Sequence, residues 1–278
     1  MMSKKYTLVG DLIRRIFVLV GVLMLMLVLV VPAMAASPES SPPIPVNAQV
    51  VFEKDPITDL GLLLERAKGG ITDFAGDKAI GKITGPPGAI VKEYVTTQKV
   101  KELRWNGGGL DRYVTSAFFL VALPESNSTD VGILAADTTT ITDPSYSYTL
   151  YLELNYDNQW DVNGNVFGKI LSVKGKWTRL DSQVTAQNAK LMAGANGPTL
   201  SGGYNVSKLS EKSIGYPTSG STYTITPPDW GYTKYQASDG GTILDCYIAG
   251  GARSTLVRGG TTWSLDADII KGDMSGPW

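Results

Sequence analysis

The sequence predicts a predominantly β protein, an antiparallel sandwich, jelly roll or partly open barrel, with one short helix near the start of the mature chain. Three observations carry that prediction. Tyr146, Tyr148, Leu150, Leu152, Leu154 and Tyr156 alternate with Ser147, Thr149, Tyr151, Glu153 and Asn155, the period of a half-buried strand. Turn clusters recur: Asn106 with Gly107, Gly108 and Gly109, Asn163-Gly164, Asp239-Gly240-Gly241 and Gly259-Gly260. Such residues reach positive φ at low cost. Several further runs have strand length and are bounded by these turns, the pattern of an all-β domain.

The elements follow in order. Lys4, Lys5, Arg14 and Arg15 make a basic start, and Ile16 to Val31 carries no charge. Pro32 ends that run, and Ala33-Met34-Ala35 has the small-x-small pattern of a signal-peptidase site. Residues 1–35 therefore read as an export signal cleaved after Ala35, which confines membrane contact to export; left uncleaved, the same segment would serve as a signal anchor. Residues 36–45, ASPESSPPIP, hold four Pro and three Ser and read as an extended linker. Residues 46–278 read as a single predominantly β domain.

In that domain, Leu60, Leu63, Leu64 and Ala67 fall on one helical face. Thr58 is the expected cap, Asp59 complements the positive helix end, and Gly69 is the expected left-handed exit. Ala117 to Leu123 is a continuous apolar run, as expected of a central strand covered on both faces. Residues 181–194 fit neither helical nor strand periodicity. Ser221 to Thr226 alternates briefly. Thr242 to Ile248 reads as a strand with Leu244, Cys246 and Ile248 inward. Trp263, Leu265, Ala267 and Ile269 form the inward set of the last strand.

Composition excludes several functions. The chain has no His and one Cys. That removes Ser-His-Asp and Cys-His nucleophile systems, His-ligated metal sites, CxxC redox centres and an internal disulfide framework. Net charge is -1, and removing residues 1–35 takes four basic residues and one acidic residue with it, leaving -4. There is no basic excess for nucleic acid, and no cofactor motif is present.

The candidate sites are few. All six Trp lie beyond residue 35, and an aromatic ring with a polar handle suits stacking on sugars. Two clusters are candidates for binding polysaccharide or cell-wall components: Asp157, Asn158 and Trp160, and Trp230, Tyr232 and Tyr235. β-Sheets also bury Trp and pair Tyr across strands, which competes with that reading. Asp161, Asn163 and Asn165 resemble the opening of a calcium loop, but Val166 and Ser172 stand where it needs Gly and Glu. Asn163-Gly164 reads better as a hairpin turn. Asp266 and Asp268 share one strand side and are the acid pair a glycoside hydrolase would call on. Cys246 reads as a buried, inert thiol beside Asp245.

The leading expectation is an exported non-catalytic β protein of the cell surface or medium, acting in binding or structure. A carbohydrate- or wall-binding module is second, and a carboxylate-dependent glycoside hydrolase third.

Overall fold

The computed structural model describes residues 44–124, 146–202, 206–237, 239–241 and 243–274. The expected export signal and most of the linker lie outside them. Among the described residues, no helix is long and apolar enough to cross a membrane.

Among the described residues, the body is predominantly β, with two antiparallel sheets and one helix. The elements are β1 (Gln49–Glu53), α1 (Leu60–Lys68), β2 (Lys78–Thr84), β3 (Ile90–Trp105), β4 (Gly108–Ala122), β5 (Tyr148–Trp160) and β6 (Val166–Arg179). There follow β7 (Val184–Gly197), β8 (Val206–Gly215), β9 (Thr222–Ile225), β10 (Thr233–Gln236), β11 (Tyr247–Arg258) and β12 (Thr261–Gly272). The first sheet runs β1-β3-β4-β5-β6, and β9 and β10 share the outer edge of β6. The second runs β2-β12-β11-β7-β8.

Both sheets supply one apolar core. Leu150, Leu152, Leu154, Val173 and Trp177 come from the first sheet, and Leu191, Ala252, Leu256, Leu265 and Ile269 from the second. Each removes its apolar surface from water, at about 25 cal/mol per Å². The alternation is realised from Tyr148 in β5, whose Leu150, Leu152 and Leu154 are fully buried. Tyr146 precedes the strand and packs with Leu120 and Ala122 instead. Thr149 and Tyr151 on the opposite side are buried as well, so the strand is not half-buried.

The run at 117–123 is covered on both faces. Ala117, Phe119 and Val121 enter the shared core. Phe118 lies under α1, in a cluster with Leu63, Leu64, Ala67 and Tyr151. The chain entering that helix is held by the Gln98 amide, which accepts from the Ile57 N–H at 2.8 Å and donates to the Ile57 carbonyl at 3.1 Å.

The helix ends differ from expectation by one residue each. Asp59, not Thr58, is the cap, and its Oδ1 accepts from the Leu62 N–H at 2.9 Å. Gly69 keeps right-handed φ, and Gly70 takes the left-handed exit at φ 66°. Asp59→Ala is expected to lose about 1 kcal/mol of stability, read by chemical denaturation. The same loss from Thr58→Ala would transfer the capping role to that residue.

Two strands also depart from the sequence reading. Residues 184–197 form β7, with Val184 and Ala186 buried, then Ala189, Leu191, Ala193 and Ala195. Asn188 has φ 52°, and the pairing register shifts around it. This bulge moves the inward set from even to odd positions, which is why neither period fits. At 242–248 the strand begins only at Tyr247. Asp245 has φ 55° and Leu244 is 79% exposed, so residues 243–246 form a turn, closed by the Cys246 N–H to the Ile243 carbonyl.

Candidate functional site

The polar centre of the molecule lies between the sheets, and sequence reasoning missed it. Its hub is Asp77, the residue just before β2. Asp77 forms an ion pair with Lys271 of β12 at 2.9 Å, and the two side chains are 3% and 4% exposed. The Thr97 and Thr115 hydroxyls, from β3 and β4, bind Asp77 Oδ2. The Tyr156 hydroxyl of β5 donates to the same oxygen at 2.9 Å. One carboxylate thus collects groups from both sheets.

The surroundings are aromatic. Lys271 Nζ lies 3.2 Å from the Phe74 ring centroid and 5.8 Å from that of Tyr235. Tyr113 stacks on Tyr156 at 5.5 Å and tilts against Phe74 at 5.0 Å. Burial pushes the Lys271 ammonium below its ordinary range, and the Asp77 carboxylate acts in the opposite sense. Burial also raises Tyr156 and Tyr235 well above the usual phenol value. The position of Lys271 is tightly set: the next residue, Gly272, has φ 97°, and a Cβ there would lie 2.3 Å from the Cys246 carbonyl oxygen.

A charged cluster adjoins this centre. The Tyr113 hydroxyl donates to Asp111 at 3.1 Å. Asp111 pairs with Lys99 at 3.0 Å and Arg104 at 3.1 Å, and both cations also meet Glu102. The hydrogen bond from Lys99 holds Glu102 below the ordinary carboxylate range. The Arg104 guanidinium lies over the Trp160 ring at 4.3 Å, a favourable cation–π geometry.

The six residues of the two aromatic clusters divide by burial. Trp160 and Trp230 are partly exposed. Asp157, Asn158, Tyr232 and Tyr235 are buried, at 4, 4, 5 and 2% exposure. Asp157 takes a two-pronged bond from Arg112, Nε to Oδ1 at 2.7 Å and Nη2 to Oδ2 at 3.0 Å. Arg112→Ala is expected to cost about 1.5–3 kcal/mol in denaturant melts, because a buried carboxylate loses its charged donor. Arg112→Lys should recover only part of it, since a point charge cannot reproduce the fork.

The other candidates have local roles. Asp161 accepts from the Asn163 and Asn165 backbone N–H groups at 2.9 Å each, and Gly164 turns the hairpin at φ 80°. No group of three or more His, Cys, Asp or Glu side chains placed to hold a metal occurs among the described residues. Asp266 and Asp268 both meet Arg253, at 3.1 and 2.9 Å. Cys246 is buried, and burial followed by the Asp245 charge raises its thiol.

One signal could have revealed the centre. Lys271 continues the inward phase of Trp263, Leu265, Ala267 and Ile269, so an ammonium was due in the core and required a buried partner. Nothing comparable marks Asp77, which lies in a loop. Compared with protein-family models, curated proteins and solved structures, the chain matches none.

Proposed function

We propose that this chain is an exported, non-catalytic β protein of the cell surface or extracellular medium, its body a two-sheet sandwich that works as a structural or binding module. The supporting observation is how the body uses its buried acids. Asp77, Asp111, Asp157 and Asp268 are each held by Lys or Arg. Each of these carboxylates is committed to a cation within the fold. A glycoside hydrolase instead needs one carboxyl kept neutral until it donates its proton. The apolar segment and the Ala33-Met34-Ala35 pattern supply the argument for export. Fractionation of expressing cells with N-terminal sequencing tests it: the protein should appear outside the cytoplasm beginning at Ala36. An intact N-terminus in the cytoplasm would overturn the reading.

Binding of polysaccharide or cell-wall material is the second reading, favoured by the partial exposure of Trp160 and Trp230. Depletion of the protein by insoluble polysaccharide, abolished in Trp160→Ala or Trp230→Ala, is its expected result. Undiminished depletion by both variants would exclude these two rings.

A further inference from the structure

We propose that Lys271 and Asp77 condense to an intramolecular amide, cross-linking the end of β12 to the residue that enters β2. This goes beyond the functional reading above and does not depend on it.

Four features of the site point to that chemistry. First, the reacting groups are in place. Nζ lies 2.9 Å from Asp77 Oδ1, with the Phe74 ring centroid 3.2 Å from it. Orientation of this kind replaces the encounter of two separate molecules and raises the rate by several powers of ten.

Second, the pair is shielded from water. Both side chains are 4% exposed or less. Burial moves the Lys271 ammonium toward the neutral amine, the form whose lone pair reacts.

Third, the oxygen that must carry negative charge is already surrounded by donors. Oδ2 faces the hydroxyls of Thr97, Thr115 and Tyr156. When Nζ adds to Cγ, the carbonyl electrons move onto that oxygen, and fixed donors there stabilise the developing charge.

Fourth, the proton inventory closes without an outside acid or base. The ammonium carries three protons. One passes to Oδ1, leaving a neutral amine and a carboxylic acid. The Nζ lone pair then bonds to Cγ, and charge collects on Oδ2. A second proton moves from Nζ to Oδ1, the Cγ–Oδ1 bond breaks, and Oδ1 leaves as water. The third proton remains as the amide N–H. The products are one amide and one water, with no oxidation, reduction or co-reactant.

The placement gives the bond a use. It joins β12 to the start of β2, its neighbour in the second sheet, and closes a loop from residue 77 to residue 271. That loop includes most of the folded body, and a link closing a long loop restricts the unfolded chain most. Edge strand β2 could no longer peel from β12 at this end.

Mass spectrometry of the purified, folded protein tests the proposal. The expected intact mass is lower than its sequence requires by one water. Proteolysis should release a branched peptide that joins the segments carrying Asp77 and Lys271. Asp77→Ala and Lys271→Arg should show the full sequence mass. Asp77→Asn should give the wild-type product, because ammonia then leaves in place of water. Thr115→Ala and Tyr156→Phe should slow the mass loss after refolding by about 10²-fold, the effect of removing one such donor. Full mass in the folded wild-type protein, with no branched peptide, would overturn the proposal. So would a one-water loss that persists in Asp77→Ala, because it would arise elsewhere in the chain.

Discussion

Raising the pH above about 10 is expected to unfold the protein in one cooperative step. Tyr148, Tyr151, Tyr156, Tyr232 and Tyr235 are all buried, and burial pushes each phenol above its ordinary value near 10. The carboxylates near Tyr151, Tyr156 and Tyr232 add to the shift. A group whose native value lies above its unfolded value holds more protons in the native state. Its contribution is intact below pH 10 and is lost as the pH rises toward the native value. Each such tyrosine then loses about 1.4 kcal/mol by one pH unit above 10. Five of them lose roughly 7 kcal/mol, within the 5–15 kcal/mol that holds a typical domain folded.

Lys271 has the opposite sign while it is a free amine. Its native value is lowered, so it binds fewer protons folded than unfolded, and stability gains from it as pH rises toward 10.5. One lysine against five tyrosines decides the direction. Tyrosinate absorbance and circular dichroism, followed together through the alkaline range, should change at one midpoint. Gradual phenol ionisation near pH 10 with unchanged dichroism would show that these hydroxyls are accessible in the native state.

The same tyrosines explain what could be read from the sequence. Alternation at 148–156 and 263–269 identifies two strands because the inward set runs through each without interruption. β7 was hidden by a single positive-φ residue, Asn188, and the start of β11 by another, Asp245. Composition cannot place such residues, since Asn and Asp reach the left-handed region only where the surrounding chain requires it. The aromatic clusters were visible, but the role of each hydroxyl was not. Tyr151 bonds Ser116 and Glu153, Tyr113 bonds Asp111 and Tyr156 bonds Asp77, so these polar handles serve the interior. Choosing between a wet surface and a satisfied core requires the partners, and these lie on other strands far along the chain.

Replacing Trp177 separates packing from polarity in that core. The ring is fully buried, stands edge-on to Tyr223 with centroids 5.9 Å apart, and lies over Gly175, where a Cβ would be 3.0 Å from Trp177 Cζ3. Trp177→Ala is expected to cost about 3–5 kcal/mol, from lost transfer free energy and the cavity left between the sheets. Trp177→Phe should cost much less. It keeps most of the ring contacts, and it removes an indole N–H that is buried without a hydrogen-bond partner. An unmatched buried donor destabilises by about 1–3 kcal/mol, and deleting it offsets part of the lost volume. Chemical denaturation of both variants gives the comparison. If Trp177→Phe loses as much as Trp177→Ala, the N–H has a partner such as a buried water, and its bond contributes as much as the ring's volume. If the phenylalanine variant stays near wild type, Trp177 is held by shape alone, as a residue flanked by a glycine on its own strand and the facing sheet should be.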